Sequence, residues 1–350
     1  MKKTIQLLRN IALAFSFLYG LSANATVWRV NNNGTTYVQY SGQQVFSDLA
    51  YAISTVSNGD TLHIEASPTT YNTAPIHVNK KLVIIGPGYL FGGSGGNSNL
   101  QANHNEAKIG PLFFDAGSEY SVYTGISQVG QLHVRANNIT VKRNKFINDF
   151  LIDLPNGTIS NLLFTQNYFA DQEFLQPYNC SVISSLISNN IFKVGSFYLQ
   201  GPFQGDITQN VFDYNGNIDF SGGQFYNNII KTGNLIANSN DTNNVHHNVF
   251  HFAAPVFLPT PNSNTFSFPA GNMFQTGGST DGSMQINPLC LPCLNNGAFG
   301  YETGIYGGAP GTEYKLSGVP EIPAIYQLYA TPTIAQGDTI QVILKTRSNN

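Results

Sequence analysis

Charge is what this sequence has least of: Asp, Glu, Lys and Arg together make up 10% of its 350 residues. No cluster of Lys and Arg stands anywhere in it. That excludes the basic footprint that nucleic acid or an anionic membrane demands. Cysteine is scarce too, with 3 in all, Cys180, Cys290 and Cys293. Cys290-Leu-Pro-Cys293 has no second Cys or His pair at metal spacing and no thioredoxin-like surroundings. It is expected to be a local disulfide or a pair of thiols in a capping loop, with Cys180 packed in the wall. Long apolar runs are missing except at residues 11–21, which is shorter than the ~20 residues of a spanning helix. Lys2, Lys3 and Arg9 precede that run and Ala23-Asn24-Ala25 closes it, the pattern of a cleaved export leader over residues 1–25. A secreted, cell-surface or periplasmic protein without a transmembrane segment is expected. Without the leader, 13 basic residues remain against 19 acidic ones, a net charge of −6.

Low charge does not mean disorder here. With 41% hydrophobic and 12% aromatic residues the chain can fill a core. Its plan shows in a repeat: asparagine, one free residue, then a large apolar side chain. The pairs are Asn144/Phe146, Asn167/Phe169, Asn190/Phe192, Asn210/Phe212, Asn228/Ile230, Asn248/Phe250 and Asn272/Phe274, in steps of 18 to 24 residues. Three positions before the asparagines stand Val141, Phe164, Ile187, Ile207, Phe225 and Val245, and only Pro269 breaks the series. Such a period belongs to a solenoid, and these coils are too short for a strand, a crossover helix and a second strand. The pattern predicts an all-β right-handed parallel β-helix of about ten coils. Each asparagine would turn a corner in a left-handed conformation and bond its neighbours above and below. The apolar column two positions on would stack ring over ring. A leucine-rich repeat, the other solenoid with an asparagine column, needs a Leu-x-x-Leu-x-Leu run and a helical return, and neither is present.

Apolar spacing over residues 45–56 predicts an N-terminal capping helix, closed by Asn58-Gly59. Strands follow at 61–65, 76–78 and 82–85, then a Gly/Asn-rich excursion over 86–110. Residues 333–345 alternate polar and apolar and are expected to fold back as a closing strand, within a C-terminal strand cap over about 312–345. Residues 26–350 are read as one domain and as a monomer.

The stretches Gly59-Asp60-Thr61-Leu62-His63-Ile64, residues 79–89 and Asn137-Asn138-Ile139-Thr140-Val141 resemble coils of secreted right-handed parallel β-helix proteins. These belong to the pectin-lyase-like superfold, in the version exported by Bacteroidetes. The tail, Gly304-Ile305-Tyr306-Gly307-Gly308 and residues 318–326, is similar to their closing segment. The resemblance implies the fold but not the chemistry, since one superfold hosts many activities. Lyases on this scaffold need acids for Ca²⁺ and a base, and hydrolases need paired carboxylates. Here there is no Asp-Asp pair, no Asn-Thr-Asp and no Gly-His-Gly.

The expected function is therefore an exported, non-catalytic scaffold that binds a polysaccharide or a cell-surface partner. The alternative is a polysaccharide lyase or glycoside hydrolase with an atypical site. Lys193, Asp213, Lys231 and His251 share an outward column and form a candidate surface site, or a plain charge ladder. Tyr89 and Phe91 are candidate glycan contacts, or rings lying under a loop. Asp149, Asp153, Asp171 and Glu173 are a candidate Ca²⁺ set, or solvated acids; no other cofactor is expected. His246 and His247, if on a strand, point to opposite faces. Residues 92–96 lack the Gly-Lys-Ser/Thr ending of a phosphate loop.

Overall fold

The computed structural model describes residues 25–33, 45–171, 173–177, 179–193, 195–237, 244–258, 262–331 and 339–349. The expected leader lies outside the described residues apart from Ala25, as do residues 333–338 of the expected closing strand.

Each coil lays down a short strand on each of three faces. Val141 pairs with Phe164 and Phe164 with Ile187 on the first face. Phe146 pairs with Phe169 and Phe169 with Phe192 on the second. Phe150 pairs with Phe174 and Phe174 with Phe197 on the third. Every one of these ladders is parallel and in register, so residues some twenty positions apart become vertical neighbours. The first face is a 12-stranded sheet, and the long strand Val211–Phe220 joins the other two into a 14-stranded sheet. The chain makes about 9 turns of right-handed parallel β-helix.

The interior is apolar and ring-rich. Val141, Phe164, Ile187, Ile207, Phe225 and Val245 have no exposed surface. Phe146 stacks on Phe169 at 5.2 Å and Phe192 on Phe212 at 4.9 Å, with a second column in Phe150, Phe174 and Phe197. Offset and stacked rings add ~0.5–1.5 kcal/mol per pair beyond burial.

Asparagines line the corner between the first and second faces. Asn167 Oδ1 accepts from both the backbone N–H and Nδ2 of Asn144, at 2.9 and 3.2 Å, and Asn167 Nδ2 donates to Val141 O and to Asn190 Oδ1, both at 3.0 Å. The same set recurs through Asn190, Asn210 and Asn228 to Asn248. Above Asn144 the column ends on the Ile126 N–H, which donates to Asn144 Oδ1.

Four details differ from the sequence-based expectation. The left-handed residue of the bend is not the asparagine but the one before it: Arg143, Gln166, Asn189, Gln209, Asn227 and His247 have φ of 55–60°. At the top corner that place is held by Gly125, φ 73°, where an added Cβ would meet Gly86 O at 2.6 Å. The ring stack, moreover, is not continuous down its column. Ile230 keeps its place in the ladder, pairing with Phe212 on one side and Phe250 on the other, and has no exposed surface. An aliphatic side chain presents no ring face, so the stack divides at Ile230, and Phe212 meets Phe225 at 5.9 Å instead. Next, the asparagine column ends on Asn264 and not on Asn272. Asn248 donates its backbone N–H and Nδ2 to Asn264 Oδ1, and Phe266 stacks on Phe250 at 4.9 Å. The last coil is shorter than the others, so Asn264-x-Phe266 completes it; Asn272 is exposed at the end of a 3₁₀ turn, and Phe274 is buried in a separate cluster. Finally, the position after each asparagine is not free. Tyr168, Ile191, Val211, Ile229 and Val249 form an apolar outer stripe on the second face, packed with Met273, Met284, Cys290, Cys293 and Ile305 of the tail.

The tail covers that stripe as a strap. From the last coils it runs back along the corner towards the first ones. Asn227 receives the Ala298 N–H, Asn189 donates to Ile305 O and Gly307 O, Gln166 donates to Thr312 O and Glu313 O, and Arg143 donates to Val319 O and Glu321. The strap ends in an antiparallel ribbon, Ala324–Ala330 with Val342–Arg347. The ribbon lies beside the early excursion, where the Ala102 N–H donates to Ile325 O and Arg347 donates to Leu100 O. At the other terminus, helix Leu49–Thr55 is capped by Asp48 and buries Leu49, Ala52 and Ile53 in the main core.

Candidate functional site

The strap turns at residues 297–301. Asn227 Oδ1 accepts the Ala298 N–H at 2.7 Å and thereby fixes the turn from within the corner column. The next residue, Phe299, sits at φ 62°, ψ 16° with its side chain 82% exposed. A bulky residue held left-handed costs roughly 1–2 kcal/mol, and so little burial returns almost none of it. Tyr301, 37% exposed, follows on the same turn.

Opposite these rings is the outer surface of the first face, and between them lies a hollow of about 210 Å³. Ser188, Asp206, Thr208 and Tyr226 line the coil side, Phe299 and Tyr301 the strap side. Tyr226 is stacked on His246 at 5.1 Å, and Phe299 stands edge-on to it at 6.1 Å. The Tyr226 hydroxyl donates to Asp206 Oδ2 at 3.3 Å; burial, with the Asp206 charge beside it, pushes the phenol pKa up. Gln209 is buried beneath, with its carbonyl oxygen against Gly307 of the strap and out of a ligand's reach. The hollow thus offers the exposed ring of Phe299, a half-buried carboxylate and hydroxyls. That combination suits a small ring with an apolar face and hydroxyl edges.

A larger hollow, about 650 Å³, lies between the ribbon and the early coils. It has an apolar side in Ile322, Pro323, Ile325 and Leu328, but much of its polar lining is already engaged. Glu65 is held by Arg29 and Asn31, Gln101 donates to Pro87 O, and His104 bonds Ser98 O. Few groups are left there to orient a ligand.

The residues singled out from the sequence fall elsewhere. Tyr89 and Phe91 have no exposed surface and cannot touch a glycan: Gly88 packs against the strap, and the Tyr89 hydroxyl bonds that of Tyr314 at 2.9 Å. Lys193 and Lys231 converge on Asp213 Oδ2 at 2.6 and 3.0 Å. His251 is not with them; its Nδ1 is instead at 2.9 Å from Phe268 O and 3.1 Å from the Ala270 N–H. Of the four acids, Asp153 is gripped by Arg135 and His133, while Asp149 accepts from Gln131 and from the Glu173 N–H. Asp171 is exposed. Among the described residues no three His, Cys, Asp or Glu side chains converge as a metal would require. No helix among them is long and apolar enough to cross a membrane.

His246 and His247 do not diverge. His247 occupies the left-handed corner position, so the two Nδ1 atoms come within 2.9 Å. Gly95 of the glycine loop accepts the Thr280 N–H at 2.7 Å and packs against that residue. Cys290 and Cys293 are joined in a disulfide inside the strap, and Cys180 is free and buried.

Two clusters correct the sequence reading. The coils were expected to carry no Arg-x-Lys run, yet Arg143-Asn144-Lys145 is one; both its cations are buried, Arg143 paired with Gln166 and Glu321, and Lys145 with Glu106 at 2.6 Å. On the third face His77, Phe113 and His133 stack at 4.8 and 4.0 Å, with Asp115 on His77 and Asp153 on His133. Arg135 lies over Phe113 and bonds Asp153 through Nε and a terminal nitrogen. The rings occupy one another's faces, and only His77, at the end of the stack, is well exposed. The cluster gives a pH dependence. Burial alone would raise the Asp153 pKa, but hydrogen bonds from His133 and Arg135 outweigh it and hold the carboxyl below its ordinary value. A depressed acid stabilises the fold above its unfolded pKa, and that contribution is lost as pH falls through the folded value. Asp153→Asn should lower Tm at pH 7 and flatten the acid limb of the Tm profile below about pH 4. An unchanged acid limb in a calorimetric titration would show that the carboxylate is not engaged.

No protein-family model matches the chain, and no curated protein or solved structure matches it.

Proposed function

We propose that the protein is an exported, non-catalytic β-helix of the pectin-lyase-like kind that binds carbohydrate in the groove between its first face and its strap. Phe299 is the observation that carries this reading. Tyr120 is also left-handed and exposed, so strain does not select the place by itself; an exposed ring beside a carboxylate, facing a hollow, is what suits the apolar face and hydroxyls of a sugar. Export is supported by the leader signature at residues 1–25. A binding role is favoured over hydrolysis because Asp206 is the only carboxylate among the described residues lining the groove. Inverting hydrolysis needs two, about 6.5–9.5 Å apart.

Phe299→Gly separates binding from folding. Glycine enters the left-handed region freely, so the variant should be at least as stable as the parent, with Tm unchanged or raised by a degree or two. Its retention in affinity electrophoresis through polysaccharide gels should fall to that of a non-binding control. A variant retained like the parent would remove Phe299, and the groove with it, from the account.

A further inference from the structure

We infer that the groove admits glycans without anionic groups and turns away uronate and sulfate polymers, with Asp206 setting the choice; this rests on the carbohydrate-binding reading above. The lining holds one carboxylate and no Lys or Arg among the described residues. The nearby cation Lys315 is already 3.9 Å from Glu313. Asp206 is half-buried, and the bond it receives from Tyr226, at 3.3 Å, is long for a hydroxyl donor. Lone pairs on that carboxylate therefore remain open to a ligand. An open acceptor of this kind asks for a ligand with hydroxyl protons to donate. A uronate brought here would set like charges together in a partly desolvated site, with no guanidinium or ammonium to offset them. Vicinal hydroxyls of an uncharged sugar can instead both donate to one carboxylate.

The test compares retention of the full chain in gels of neutral polysaccharides (β-glucan, xylan, galactomannan) with gels of polygalacturonate, alginate and a sulfated galactan. Wild type, Asp206→Asn and Phe299→Gly are run together, with Tm measured for each. Wild type should bind at least one neutral polymer about tenfold or more tighter than any anionic one. Asp206→Asn should keep its Tm, bind the neutral polymer less well and narrow that ratio. Binding of polygalacturonate as tightly as of neutral polymer, abolished by Phe299→Gly, would overturn the selectivity and leave the groove standing. Retention by no gel, or retention indifferent to Phe299→Gly, would overturn the carbohydrate reading itself.

Discussion

Asn210→Leu is expected to lower Tm by roughly 5–10 °C, although leucine has the same branching and number of side-chain heavy atoms as asparagine. In the native coil Asn210 Oδ1 accepts the N–H and Nδ2 of Asn190, both at 3.0 Å, and Asn210 Nδ2 donates to Ile187 O at 2.9 Å. All these groups are buried. Leucine leaves two donors and an acceptor without partners, each costing about 1–3 kcal/mol, while the added apolar contact offsets only part. Asn272→Leu is the matching control. Asn272 is exposed and outside the column, so its Tm should stay within about a degree of the parent. Equal shifts from the two substitutions in calorimetry would mean that the column contributes nothing special.

Asp281→Ala should release the strap while the coils stay folded. Asp281 is fully buried, and its carboxylate gathers four donors from three parts of the chain: Asn97 Nδ2 at 2.8 Å, the Ser279 hydroxyl at 3.2 Å, the Tyr314 hydroxyl at 3.1 Å and the Ser317 N–H at 2.5 Å. Alanine strips the acceptor from the Ser317 N–H and the Ser279 hydroxyl, while Asn97 keeps Ser317 Oγ and the Tyr314 hydroxyl keeps that of Tyr89; at about 1–3 kcal/mol for each group left unpaired, that is enough to open a peripheral segment. Limited proteolysis should then cut within residues 297–321, whereas far-UV circular dichroism keeps its β signal. Glycan retention should fall as well, because Phe299 is carried on the strap. Protease resistance equal to the parent's would show that this latch does not hold the strap.

The coil stack was legible in the sequence because each of its columns is written many times. Asn144, Asn167, Asn190, Asn210, Asn228 and Asn248 repeat one chemistry at one kind of place. The phenylalanines two positions on do the same, with Ile230 holding the register where the ring is missing. The end of the column was misplaced because Asn264-x-Phe266 and Asn272-x-Phe274 carry the same motif, and only packing selects the shorter step. The strap was not legible, for a physical reason. The corner residues that hold it, Arg143, Gln166, Asn189 and Asn227, share a backbone conformation and not a side-chain type. Their partners lie 71 to 178 residues away. For Tyr89 and Phe91 the sequence left glycan contact and burial under a loop both open, because nothing local shows the tail returning over them. The groove was missed for the same reason: Tyr226 and Asp206 stand on the wall, Phe299 and Tyr301 on the strap, and the sequence does not announce their meeting. One trace was available. A phenylalanine between glycines Gly297 and Gly300, in a segment with few apolar neighbours, is an unusual place for a ring.

Hydrogen–deuterium exchange of the native protein, followed by mass spectrometry across the corner segments, probes the stacked column at its hydrogen bonds. The backbone N–H groups of Asn144, Asn167, Asn190, Asn210 and Asn228 each donate to the next asparagine's Oδ1. Peptides containing them should remain protected until the whole domain opens, exchanging among the slowest in the molecule. Exchange of those amides within seconds, as for exposed turns, would contradict a continuous ladder and the groove built against it.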